Sequence, residues 1–352
     1  MTEGAASRLW ARIRHQVDAD AGHLHRQFFP QENAAAMTPN DSYVRVWLSE
    51  LFLAKEVSWG AERSPAVQAS VRLLFGGPSP KTFVTLTQPP VTTGRGVFED
   101  FMLTELMPYR GSTVEVQAAL YGILGKNHLG TAIDILTGFA SLVTPPVSAA
   151  LAIVDQVATG VETIIEANAQ DPVLFLQGAL AAPGAGLANE LRPGWLAVVR
   201  ATQDELPASE LGIRNGRLCR NGRRLTGFDY MVLFVEGRHE RDDWRTPDLD
   251  RAINEAAYAN ALGRVQDYER LRADALSRVF FSDDLTPPQR KQVAQAVKEE
   301  LDAAAPGAAA EGELTVAGIV ERRGLPSRAA VAQLTISELL SGGPAEPVWA
   351  GA

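Results

Sequence analysis

Hydrophobic and polar positions change rhythm several times along this chain, and each change predicts a different kind of element. Across Thr113–Ile123 they alternate: Val114, Val116, Ala118 and Leu120 fall on one side, Glu115, Gln117 and Tyr121 on the other. A repeat of two residues belongs to a strand with one buried and one wetter face. Runs rich in Val, Leu, Phe and Thr at Ser42–Val57, Ala66–Phe75, Lys81–Thr87, Pro172–Leu180, Gly194–Thr202, Leu211–Cys219 and Gly227–Gly237 read as further strands. Turn residues such as Gly60, Gly76, Gly77, Pro78 and Pro80 separate the early ones. No regular strand–helix alternation points to a doubly wound sheet. The expected fold class is α+β, with an antiparallel β-sandwich of about eight strands over residues 41–245.

Three segments carry a helical period instead. In residues 1–40, Leu9, Ile13 and Val17 with Trp10 predict an N-terminal helical arm flanked by Arg8, Arg12 and Arg14. Such a helix can lie on an anionic membrane, but Asp18 and Asp20 cancel its charge and favour packing on the body. Residues 128–168 interrupt the strands with an inserted two-helix hairpin. Ile133, Leu136, Ala140 and Val143 line its first helix, and Val147, Leu151, Val154, Ala158, Val161 and Ile165 its second. Pro145 and Pro146 enforce the break between them.

Residues 246–304 form a charged C-terminal helical subdomain. Thr246 caps a helix opened by Pro247, and Leu249, Ile253, Ala257, Val265, Tyr268, Leu271 and Val279 line one apolar side to about Phe281. The pattern restarts at Thr286-Pro287-Pro288, with Val293, Val297 and Leu301 buried. After Ala303 the composition turns to Ala, Gly, Pro and Glu. Residues 305–352 are therefore expected to be a flexible linker and a short helical docking tail around Gly324-Leu325-Pro326. A helix–turn–helix reading of that tail is weak, since few basic residues follow Arg328.

Composition narrows the function. Lys and Arg number 33 against 42 Asp and Glu, a formal net charge of −9, which disfavours nucleic acid as a partner. The lysines are only Lys55, Lys81, Lys126, Lys291 and Lys298, a bias expected of a GC-rich bacterial source. The lone Cys219 rules out an intramolecular disulfide and any multi-thiolate metal site. The first 30 residues lack a secretory apolar core, so a cytoplasmic location is expected.

No catalytic motif stands out. Gly125-Lys126 fails as a phosphate loop because Leu120 stands where Gly is needed and Asn127 where Ser or Thr is needed. No G-x-G-x-x-G or G-x-S-x-G is present, and no cofactor is implied. His23 and His25 sit two apart without a completing ligand. Cys219 between Arg217 and Arg220 could be a thiolate nucleophile with His128 or His239 as base. Glu236, His239, Asp242 and Asp243 could take a metal or serve a small hydrolase. A buried thiol and solvated charge are the preferred readings of these two features.

The densest feature is Arg214, Arg217, Arg220, Arg223 and Arg224, interleaved with Asn215-Gly216 and Asn221-Gly222. Asn-Gly favours two-residue type I′ hairpin turns, so a tightly folded β edge is expected. Its guanidiniums could bind an anion or an acidic partner, or they could simply guard an edge against aggregation, which is the preferred reading. Ile135–Val154 contains no charge and approaches the length of a membrane span. Leu136, Phe139, Leu142, Val143, Leu151 and Val154 are the membrane-insertion candidates of a 131–166 hairpin, although the central prolines favour two short core helices.

The sequence is read as a non-enzymatic interaction, scaffold or adaptor module of a bacterial multi-protein system. Arginine-rich hairpins and a tethered tail would bind protein partners, and homo-oligomerisation is compatible with this. The alternatives are a membrane-acting effector and the small hydrolase.

Overall fold

Tyr230–Val235 reads Tyr-Met-Val-Leu-Phe-Val without alternation, the pattern of a strand covered on both faces. The computed structural model, which describes residues 23–54, 57–58, 61–73, 81–87, 98–111, 113–124, 174–180, 191–303 and 324–340, shows why. This strand, β14 (Tyr230–Arg238), lies inside an antiparallel six-stranded sheet. The order is β1 (Leu24–Pro30), β10 (Gly194–Arg200), β14, β2 (Tyr43–Phe52) and β6 (Phe98–Met102), with β7 (Met107–Pro108) also on β2.

Met231, Leu233 and Val235 point one way, into a core shared with Val44, Val46, Leu48 and Leu51 of β2. The same core takes Val114, Val116, Ala118 and Leu120 from β8 (Val114–Leu124) and Leu174, Leu176 and Leu180 from β9 (Leu174–Leu180). These two strands belong to a five-stranded sheet with β3 (Val57–Ser58), β4 (Ala61–Leu73) and β5 (Lys81–Thr87). The alternation of Thr113–Ile123 is thus that of a half-buried strand, with its apolar side against the six-stranded sheet.

Tyr230 and Val232 point the other way, into a second cluster with Ala197, Val199, Leu206, Leu211, Leu218 and Leu225. Three of those leucines come from, or border, a three-stranded sheet of β11 (Leu211–Arg214), β12 (Arg217–Arg220) and β13 (Arg223–Arg224). The run expected at Leu211–Cys219 is two strands, folded back at Asn215-Gly216. The chain is therefore α+β with antiparallel sheets.

Two expectations need correcting. The helical arm of residues 1–40 does not extend to its end, because Leu24–Pro30 is strand β1, paired with β10 from Leu24↔Arg200 to Pro30↔Gly194. Leu24 and Phe28 pack on one core and Phe29 on the other, so period-two burial prevails there. The helical stripe of Leu9, Ile13 and Val17 lies outside the described residues, as does the whole 128–168 insertion. The apolar run through to Phe281 is two helices, α1 (Pro247–Ala261) and α2 (Val265–Phe280). Gly263, at φ 69°, separates them. Its N–H donates to Asn260 O and that of Arg264 to Ala259 O, the paired bonds of a glycine-terminated helix.

The chain divides by its internal contacts into Met1–His239 and Glu240–Ala352. The second unit holds α1, α2 and α3 (Pro287–Ala303), then the short helices α4 (Arg328–Val331) and α5 (Ile336–Leu340). Thr246 caps α1 as expected, accepting from the Leu249 N–H. Leu249, Ile253, Leu276, Val279, Val293, Val297 and Leu301 form its core, which also takes Leu339 of α5. Residues 240–245 belong here because Arg241 exchanges backbone bonds with the Gln289 amide and Arg245 grips the buried Glu300 at 2.9 Å.

Gly194 is required where β1 meets β10. A Cβ there would lie 2.6 Å from Phe29 O and 2.9 Å from Pro30 Cα, both backbone atoms. Gly194→Ala is expected to destabilise the protein by about 1–3 kcal/mol. A lowered midpoint in urea unfolding would show it, and an unchanged midpoint would contradict the close approach.

Candidate functional site

Both Asn-Gly pairs adopt the left-handed backbone of type I′ turns. Asn215 and Gly216 lie at φ 52° and 75°, Asn221 and Gly222 at 48° and 77°. The resulting register sets Arg214 opposite Arg217 and Arg220 opposite Arg223. Like charges facing each other across strands repel, so such pairs need counter-charges or open solvent. Arg217 and Arg220 are three residues apart on one strand, so the two pairs occupy opposite faces of the sheet. The five guanidiniums therefore do not converge on one site.

One of them is an internal tie. Glu50 of β2 is wholly buried, and its Oε1 accepts from Arg224 Nε at 2.9 Å and Nη2 at 2.7 Å. Its Oε2 accepts from the Leu218 N–H at 2.8 Å. A carboxylate removed from water needs this full set of donors. Burial opposes the Arg224 charge, yet the Glu50 bonds and charge more than offset that and hold the guanidinium above its ordinary pKa. Tyr230, stacked on Phe52 at 5.5 Å, has its hydroxyl pushed far up, by burial first and then by the Glu50 charge. A β-bulge aims Glu50 at this face. The register shifts between Val232 and Leu233, whose partners are Glu50 and Leu48, so Ser49 is the extra residue. Ser49 Oγ donates to Gly216 O at 3.0 Å, tying the first turn to the same strand.

Arg220 is paired as well, its Nε lying 2.6 Å from Glu210 Oε2. Arg217 is half-buried. Arg214 and Arg223 are exposed, with no ion-pair partner among the described residues. The Arg214 guanidinium rests against the second turn, where a Cβ on Gly222 would meet its Cζ at 3.0 Å. Arg214 and Arg223 thus flank one turn.

The other candidates are dispersed. Cys219 is buried and its thiol donates to the carbonyl of Arg217 at 3.7 Å. His239 faces Asp41 at 3.1 Å, and His128 lies outside the described residues. Glu236 accepts from Trp47 Nε1 at 2.7 Å and pairs with Arg45 and Arg238. Asp243 belongs to the other unit and holds Arg241 through both oxygens. Among the described residues, no group of three or more His, Cys, Asp or Glu could hold a metal ion. A cleft of about 100 Å³ opens at the start of α1, beside Arg241, Trp244, Thr246 and Asp284. It is well below the few hundred Å³ of an ordinary ligand site. Its polar groups are already committed: Arg241 binds Asp243 and the Asp284 carbonyl, and Thr246 caps its helix.

Leu136, Phe139, Leu142, Val143, Leu151 and Val154 lie outside the described residues, among which no helix is long and apolar enough to cross a membrane. Sequence reasoning missed Glu50 and Glu210. The available signal for Glu50 was a lone acid inside the apolar strand Trp-Leu-Ser-Glu-Leu-Phe, beside the residue that forms the bulge.

Arg224→Ala is expected to cost about 2–3 kcal/mol, because it leaves the wholly buried Glu50 short of donors while the lost side chain was itself one-third exposed. Adding Glu50→Gln, which still accepts from Leu218, should recover a substantial part of that loss in a double-mutant cycle. Additive costs would contradict the tie. No family model, no curated protein and no solved structure matches this chain.

Proposed function

We propose that the sheet unit is a β-sandwich recognition module and that the protein is a non-enzymatic adaptor or scaffold of a bacterial, cytoplasmic multi-protein system. The observation that carries this reading is the display of Arg214 and Arg223 on a turn whose sheet is tied to the body through Glu50. The turn that carries them is anchored, so little backbone order has to be gained on binding, and their planar forks match carboxylates. The partner is accordingly an acidic segment of another protein. A nucleic-acid backbone is disfavoured as the occupant because the chain has no excess of cations to neutralise successive phosphates.

The paired reversal Arg214→Glu with Arg223→Glu tests this. Both residues are exposed, so thermal stability should stay within about 0.5 kcal/mol of the parent. The expected outcome is loss of a salt-sensitive, acidic co-purifying protein that the intact chain retains. The same set of co-purifying proteins from both chains would overturn the reading.

A further inference from the structure

Residues 324–340 are held in a distinctive way. Helices of four and five residues, as α4 and α5 are, do not persist alone in water. Their order comes from the groove they occupy. Val331 and Leu339 are buried, and Leu325 and Leu334 pack on the core of α1, α2 and α3. Around this apolar seam, donors from α2 and α3 reach backbone carbonyls of the segment. Gln292 Nε2 donates to Pro326 O at 2.8 Å and Lys291 Nζ to Ala332 O at 3.2 Å. Lys298 Nζ donates to Glu338 O at 3.3 Å and Arg272 Nη1 to Leu340 O at 3.1 Å.

Ala332 is the C-cap of α4, and Glu338 and Leu340 lie in α5, where helix-end carbonyls lack internal donors and attract cations. Two of the chain's few lysines stand here, seven residues apart on one stripe of α3. Arg272 is 5% exposed, and its Nε has no hydrogen-bond partner among the described residues. The groove therefore reads two short helical turns by their carbonyl ends and by a few apolar side chains, as a peptide-binding site does.

We propose that this face of α2 and α3 is a binding groove for the 324–340 segment as a separable ligand, so that the segment of a second copy of this chain can replace the chain's own. The contacts are the same within one copy and between two, so only effective concentration decides between them. Twenty residues, 304–323, separate Ala303 from the segment in the sequence. The inference stands apart from the role of Arg214 and Arg223, which take no part in it.

The test uses a fluorescent peptide of residues 324–340 and the full chain, followed by fluorescence anisotropy. In the parent chain the resident segment competes, and binding is weak. Leu339→Asp removes the segment's buried anchor without altering the groove, and should raise peptide affinity at least tenfold. A peptide carrying the same change should not bind. Should Leu339→Asp disturb folding by circular dichroism, Thr335→Ala with Glu338→Ala serves instead. That pair opens the exposed Thr335–Glu338 cap of α5 and should raise affinity severalfold. Lys291→Ala with Lys298→Ala in the full chain carrying the unseated segment should lower it again. Peptide binding that ignores these changes, or no gain when the segment is unseated, would overturn the proposal.

Discussion

A carboxylate with no access to water dictates how the first unit is assembled. Removing an ionised Glu from solvent costs several kcal/mol unless donors replace the lost water. Glu50 finds them only when β12 and β13 are seated over β2 in one register, because Leu218 offers a backbone N–H and Arg224 a fork from successive strands. A slip of one residue would turn both away. The apolar contacts of Leu211, Leu218 and Leu225 favour covering the outer face of the six-stranded sheet, and the Glu50 bonds select how it is covered.

The second unit repeats the device. Glu300, 1% exposed, is gripped by Arg245, which also reaches Asp250 at the start of α1. Arg241 is turned inward in the same way, onto Asp243 and the carbonyl of Asp284. Among the described residues, Arg224, Arg241 and Arg245 thus act as internal hydrogen-bond frames. A count of cations along the sequence therefore overstates the positive surface, and the exposed pair Arg214 and Arg223 is set apart by its surroundings more than by its charge.

How far this was legible in the sequence follows from how local each cause is. The Asn-Gly turns, the Thr246-Pro247 helix start and the strand at Lys81–Thr87 rest on propensities of a few adjacent residues, and they fold as read. Strand β1 was not legible because its order comes from β10, far along the chain, and the helical stripe before it suggested the wrong period. The break at Gly263 was hidden because apolar spacing continues across it. The division of the five arginines between internal ties and open display depends on Glu50 and Glu210, one remote in sequence and one ten residues away. No pattern within 214–224 encodes it.

Amide hydrogen exchange at Leu218 tests the central claim most directly. If Glu50 ties the arginine sheet to the body, the Leu218 N–H should exchange as slowly as the amides of Met231–Val235 in the central strand, opening only with the unit as a whole. Exchange at the rate of the exposed turns at Asn215 and Asn221 would show that the three-stranded sheet lifts off by itself, and the account would fail.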